Sequence, residues 1–146
     1  MCTIKNILDA KGAGIHAVAR SNTVLDAIER MCDAQIGALL VTEHDLPLGI
    51  VSERDVMMRV LLLRRDPSTT RVGAIMSTDL VCIDLEASAE TAMSLMTTRR
   101  CRHLPVVYSG RVVGIVSMGD LVNWAIRDKD YEIRTLREYV SGVCVS

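Results

Sequence analysis

Two short stretches of this chain place a hydroxyl and a carboxylate three residues apart, directly after an apolar run. They are Ser52-Glu53-Arg54-Asp55, following Gly49-Ile50-Val51, and Ser117-Met118-Gly119-Asp120, following Gly114-Ile115-Val116. Each lies where a strand is predicted to hand over to a helix. Two chemistries suit that arrangement. Ser is a good N-cap, and an acid three positions later answers it and complements the helix dipole, which makes the motif structural. The second is ligand recognition. A carboxylate beside a hydroxyl accepts the two protons of a vicinal diol such as a ribose, while amide N–H groups at the helix start face a phosphate. An apolar strand alongside then sandwiches a flat base.

The motif occurs twice because much of the chain does. Residues 18–60 align on 83–125 without a gap, and nine positions are identical: Ala27/Ala92, Met31/Met96, Leu39/Leu104, Val41/Val106, the four of Gly-Ile-Val-Ser, and Asp55/Asp120. Chance gives roughly three. An internal repeat governs the architecture before any local pattern is weighed. A repeat of about 65 residues is marginal alone, so two halves sharing one core are expected rather than two independent domains.

The elements that must position these residues read the same way in both halves. In the first, an extended piece around Val18 precedes a helix over 23–33, with Val24, Ala27, Ile28 and Met31 on one face. Thr23 and Asp26 have the spacing of a capping box. Residues 37–42 form a buried strand, 43–47 a turn, and 48–51 the returning strand. A helix opens at Ser52 and runs through Leu61–Leu63. In the second half, 81–84 is extended, 88–100 is helical, 103–108 and 111–116 are a hairpin around Ser109-Gly110, and Ser117 opens a helix to about Arg127. Short helices over 4–8 and 72–76 lead one into each repeat. Asp66-Pro67-Ser68-Thr69-Thr70 is the linker, and residues 131–140 form a C-terminal helix with Ile133, Leu136 and Val140 as its apolar positions. The organisation is therefore α/β, β-α-β-β-α twice: 1–70, 71–128, and a helix and tail over 129–146, in one module.

Composition narrows the function. Net charge is −1 with both signs interspersed, and one Trp and three Tyr offer no stacking platform, so no nucleic-acid partner is expected. The Arg99-Arg100-Cys101-Arg102 cluster reads as a helix end with cations on its dipole. Five cysteines, without a C-x-x-C pair, indicate a reduced protein with neither a disulfide framework nor a zinc knuckle; Cys2 and Cys144 are near the ends and expected to be exposed. No secretory signal is expected, and the longest apolar stretch, 56–63, is too short for a membrane span. A cytoplasmic location is expected. His16, His44 and His103 lack paired metal-ligand spacing. Cys101 and His103 share a strand face, but no third group or oxyanion hole accompanies them, so no catalytic residue and no enzyme activity are expected. His103 reads equally as a hydrogen-bonded structural residue or a ligand contact. The helix after Ser52 leaves little polar face, which points to a second subunit.

The chain resembles a tandem pair of CBS domains, a Bateman module. The resemblance rests on Gly37-Ala38-Leu39-Leu40-Val41, His103-Leu104-Pro105-Val106-Val107, the two Gly-Ile-Val-Ser-x-x-Asp motifs, and Val72-Gly73-Ala74-Ile75-Met76. It covers about residues 3–127 and is nearest to the small stand-alone pairs. It implies a pseudo-twofold module whose central cleft holds two adenosyl sites, for AMP, ADP, ATP, NAD(H) or S-adenosylmethionine. Carried onto this sequence, Ser52, Asp55, Ser117 and Asp120 would hold ribose. Gly37, Ala38, Leu39, His103, Leu104 and Pro105 would flank adenine. Arg54 and Arg102, with Arg20 and Arg100 behind them, would meet phosphate. The resemblance also implies a homodimer and, with no enzyme or channel attached, a separate protein target. Arg54 faces Gly119 in the repeat alignment, and Arg102 and His103 face Gly37 and Ala38, so the two sites are expected to differ. The alternative is a structural dimerisation module whose ligand sites are degenerate. Such pairs also occur inside IMP dehydrogenases, but the (β/α)₈ barrel of those enzymes needs some 250 residues, so that reading is set aside.

Overall fold

A computed structural model of the chain describes residues 2–12, 14–44 and 46–141. Cys144 and the tail beyond 141 lie outside the described residues. In chain order the elements are α1 (Ile4–Lys11), β1 (Ala17–Ala19), α2 (Val24–Ala34), β2 (Ala38–Glu43), β3 (Leu46–Ser52), α3 (Glu53–Val56), α4 (Val72–Ile75), β4 (Ile83–Asp84), α5 (Ala89–Arg99), β5 (His103–Tyr108), β6 (Arg111–Ser117) and α6 (Met118–Ser141).

Each repeat is β-α-β-β-α. The strands form two three-stranded sheets, β1-β2-β3 and β4-β5-β6, among the described residues. In each, the first pair is parallel, bridged by a helix, and the second is an antiparallel hairpin. Even the irregularity repeats: the register slips between Val41 and Thr42 and again between Val106 and Val107. The helix starts are capped as their side chains dictate. Thr23 and Asp26 form the expected capping box, with Asp26 N–H donating to Thr23 Oγ1 (3.1 Å) and Thr23 N–H to Asp26 Oδ2 (3.0 Å).

Two expectations need correction, the single shared core and the reach of the helix after Ser52, while the lead-in helices and the C-terminal helix are present with packing and continuity the chain did not show. The apolar interior is two clusters, one per repeat, rather than one shared core. The lead-in helices cross over: α1 precedes the first repeat but buries Ile4 and Ile7 in the second, while α4 precedes the second and buries Val72 and Ile75 in the first. Each thereby covers the sheet that its own repeat does not supply. The helix after Ser52 is α-helical only to Val56. Residues Met57–Leu61 form a π-helical turn, with the Leu62 N–H donating to the Met57 carbonyl (2.9 Å), and Arg64, in the left-handed region (φ 57°), ends it. Finally, the second repeat's last helix and the C-terminal helix are one helix, α6, since no Gly or Pro interrupts it after Gly119.

Candidate functional site

Strand alternation divides β2 and β5 into two faces. Leu39 and Val41, like Leu104 and Val106, point into the helix-covered cores and are fully buried. Ala38, His103 and Pro105 lie on the other face and line clefts between the repeats. Leu39 and Leu104, expected to flank adenine, are turned by the pleat into the cores and do not line either cleft. In the ladders, Ser52 sits opposite Ala38 and Ser117 opposite His103, so each Ser-x-x-Asp starts at the seam. Glu53 N–H donates to the Gly37 carbonyl (3.0 Å) and Met118 N–H to the Arg102 carbonyl (2.8 Å), which fixes both helix starts there.

The first cleft, about 720 Å³, contains Ser52 and Asp55. Its opposite wall comes from the second repeat: Arg100, Arg102, His103 and Pro105. Arg54 lines it too, so three of the four expected cations meet around one Ser-x-x-Asp, with Glu53 and Asp79 as the acidic residues of the lining beside Asp55. Arg100 reaches it from the left-handed C-cap of α5 (φ 54°). Arg20 does not. It lies on the outer surface with Arg71 and Glu43 and pairs with Glu43 at 3.5 Å, because β1 ends there, away from the seam.

Asp55 is 8% exposed and bonded inward. Oδ2 accepts from Ser52 N–H (2.9 Å) and from Ser52 Oγ (3.1 Å). Oδ1 accepts from the hydroxyl of Ser77 (3.1 Å), with Arg59 Nε 3.9 Å away. Arg59 also donates to the Ile75 and Met76 carbonyls, tying this helix to the chain after α4.

The second cleft, about 580 Å³, contains Ser117 and Asp120 and is walled by Gly37, Ala38, His16 and α1. Here the carboxylate is held by a cation. Lys11 Nζ lies 2.9 Å from Asp120 Oδ2 and donates also to the Ile115 carbonyl (3.0 Å). Ser117 N–H donates to Oδ2 at 2.8 Å. Burial by itself raises the Asp120 carboxyl, but Lys11 and Ser117 outweigh it and leave it below the usual carboxylate range. Lys11, Ser77 and Arg59 are the site residues that sequence reasoning missed. Extending the repeat offset backwards sets Lys11 and Gly12 against Met76 and Ser77, and was the available signal.

His103 and Gly37 line both clefts and so form their common wall. A Cβ built on Gly37 would stand 3.4 Å from His103 Nε2 and 3.5 Å from the Glu53 carboxyl carbon, in ordinary contact with both, so the two groups close directly on Gly37 at the seam. Burial pushes the His103 ring below its ordinary pKa, and Lys11 and Arg102 add to this against Glu53 and Asp120. Burial pushes the neighbouring Cys101 thiol up. A neutral ring beside a protonated thiol is the reverse of a thiolate–imidazolium pair. Among the described residues no cluster of His, Cys, Asp and Glu has the makings of a metal site, and no helix is long and apolar enough to cross a membrane.

The family model for the CBS domain matches residues 13–62 and 72–127. The mitochondrial CBS domain-containing protein CBSX3 of Arabidopsis thaliana is 32% identical over 149 residues, covering 96% of this chain and 72% of its own. The solved structure of a candidate signal-transduction protein with CBS domains from Burkholderia ambifaria superposes with a TM-score of 0.80 at 40% identity, covering 86% of this chain and 92% of that one. A hexameric CBS-CP12 protein from bloom-forming cyanobacteria superposes with a TM-score of 0.77 at 27% identity, covering 99% of this chain and 87% of that one.

Proposed function

The chain belongs to the CBS domain family, as a tandem pair, and from that premise we propose that it is a regulatory module that binds an adenine nucleotide and acts on a separate protein. The observation that carries this reading is the first cleft. Ser52, Asp55 and Arg54 of one repeat face Arg100 and Arg102 of the other across a space of the size small ligands occupy. A carboxylate for the ribose and guanidinium groups for phosphate are the two recognitions that AMP, ATP or NAD(H) require. Because the walls come from different repeats, a bound nucleotide favours the arrangement that holds them at ligand distance. A ligand shifts a conformational equilibrium only by such a difference in affinity. Met57, Leu61, Leu62 and Leu63 stay exposed beside an apolar groove lined by Ile28, Met31 and Ile36. They supply the face on which a second copy docks to form a homodimer.

The test is calorimetric titration of nucleotide-free protein with AMP, ATP, NAD⁺, NADH and S-adenosylmethionine, repeated on Asp55→Asn and Asp120→Asn. Saturable micromolar binding, lost in one folded variant, supports the reading and assigns the cleft. Flat traces for all five refute it. They would leave the structural dimerisation module, a reading favoured by one feature: Ser52 and Asp55 close a complete capping box, with Ser52 N–H donating to Asp55 Oδ2 and Asp55 N–H to Ser52 Oγ.

A further inference from the structure

We propose that Lys11 adds to the inequality the arginines create between the two clefts: it latches Asp120 and closes the second cleft to a ribose diol, leaving one nucleotide per chain, in the first cleft. The proposal rests on the nucleotide reading above. Its ground is what an incoming diol has to displace in each place.

In the first cleft the obstacle on Asp55 Oδ1 is the hydroxyl of Ser77, at 3.1 Å. A ribose hydroxyl replaces it like for like. Ser77 then turns its hydroxyl elsewhere while its backbone stays paired with Ile50, N–H to carbonyl in both directions at 2.8 and 2.9 Å. Arg59 remains near the carboxylate, so its charge is never left without a cation.

In the second cleft the obstacle on Asp120 Oδ2 is an ammonium at 2.9 Å. A diol carries no charge, so displacing Lys11 separates an ion pair whose side chains are only 35% and 22% exposed. Bonds to charged groups are the stronger kind. Lys11 is also held by the Ile115 carbonyl and by the anchoring of its helix. Thr3 caps α1 through a box with Asn6, Ile4 N–H donates to the Ala87 carbonyl, and Leu8 packs against Gly114. These contacts fix the end of α1, and with it the Cα of Lys11, beside Asp120. The position equivalent to Lys11 in the first cleft is Met76, which has no charge to offer Asp55.

The test uses the full chain and ATP as the probe. Lys11→Met keeps an unbranched side chain of similar length and removes the ammonium, and Lys11→Gln serves as a second variant. Calorimetry of the unaltered protein is expected to give one ATP per chain. Lys11→Met gains a second site, its affinity raised on the order of tenfold over the unaltered cleft, and Asp55→Asn/Lys11→Met retains that site alone. A stoichiometry that stays at one, or weaker binding in Lys11→Met, overturns the proposal while leaving the nucleotide reading intact. If neither the unaltered protein nor any variant binds ATP, the proposal falls, and the nucleotide reading falls with it only if AMP, NAD⁺, NADH and S-adenosylmethionine also give flat traces. Carbon-13 NMR titration of the Asp120 carboxyl tests the latch without any ligand. Its pKa is expected to rise in Lys11→Met and Lys11→Gln, and an unchanged value overturns the proposal.

Discussion

Gly49 and Gly114 occupy the same place in the two repeats, yet alanine at each should behave differently. A Cβ on Gly49 would lie 2.5 Å from the Ser77 carbonyl oxygen and 3.2 Å from Met76 Sδ. That oxygen accepts from Ile50 N–H (2.9 Å), in a bridge that ties the chain after α4 to β3. The backbone must move by about half an ångström, because real Cβ contacts essentially never fall under 3.0 Å. Overpacking of this kind costs about 1–3 kcal/mol, and weakening the bridge adds about 1 kcal/mol. The stiffer unfolded chain returns roughly 0.4–1 kcal/mol. Gly49→Ala should therefore lose about 2 kcal/mol, a fall in Tm of about 4–8 °C for a domain of this size. At Gly114 the nearest atoms are the two δ-methyls of Leu8, at 3.0 and 3.2 Å. A side-chain end moves more easily than backbone, so Gly114→Ala should stay within about 1 kcal/mol of the unaltered protein. Urea denaturation of the three proteins, with m-values compared, measures both. A Gly49→Ala protein as stable as its parent, or a larger loss at Gly114, would refute the reasoning.

Three more outcomes follow from the same geometry. The Asp120 carboxyl lies lower in the folded than in the unfolded chain, so its contribution is complete above the unfolded value of about 4 and is lost as pH falls through the folded value. Stability measured against pH should fall less steeply there in Lys11→Met. His103 is depressed too, but as a base: between its folded pKa and the unfolded value of about 6.5 the unfolded chain binds the extra proton. Stability should therefore decline as pH drops below about 6.5, and denaturation curves of His103→Gln should lack that decline. Leu61 and Leu62 are 59% and 71% exposed on a single chain. Changing both to Asp should yield a folded monomer by light scattering, and a dimer that survives the change would place its interface elsewhere.

Much of this protein was legible along the chain. The repeat shows as identities at a fixed offset of 65, and its helices, the Thr23 and Asp26 box and the two Ser-x-x-Asp junctions depend on residues within about four positions of one another, where backbone geometry decides what meets what. The apolar run of β2 marked a buried strand but not its phase. Only the packing of helices on one face showed that Leu39 and Leu104 belong to the cores and Ala38 and Pro105 to the clefts. Arg20 was indistinguishable by type from Arg54, Arg100 and Arg102 until the fold carried it to the outer surface. The crossing of α1 and α4 was equally hidden, and with it Ser77 on Asp55 and Lys11 on Asp120, the latter 109 positions apart. Local spacing determined the elements and the two motifs. Tertiary packing alone decided which cation reaches which carboxylate, because that depends on how separately formed surfaces bury one another.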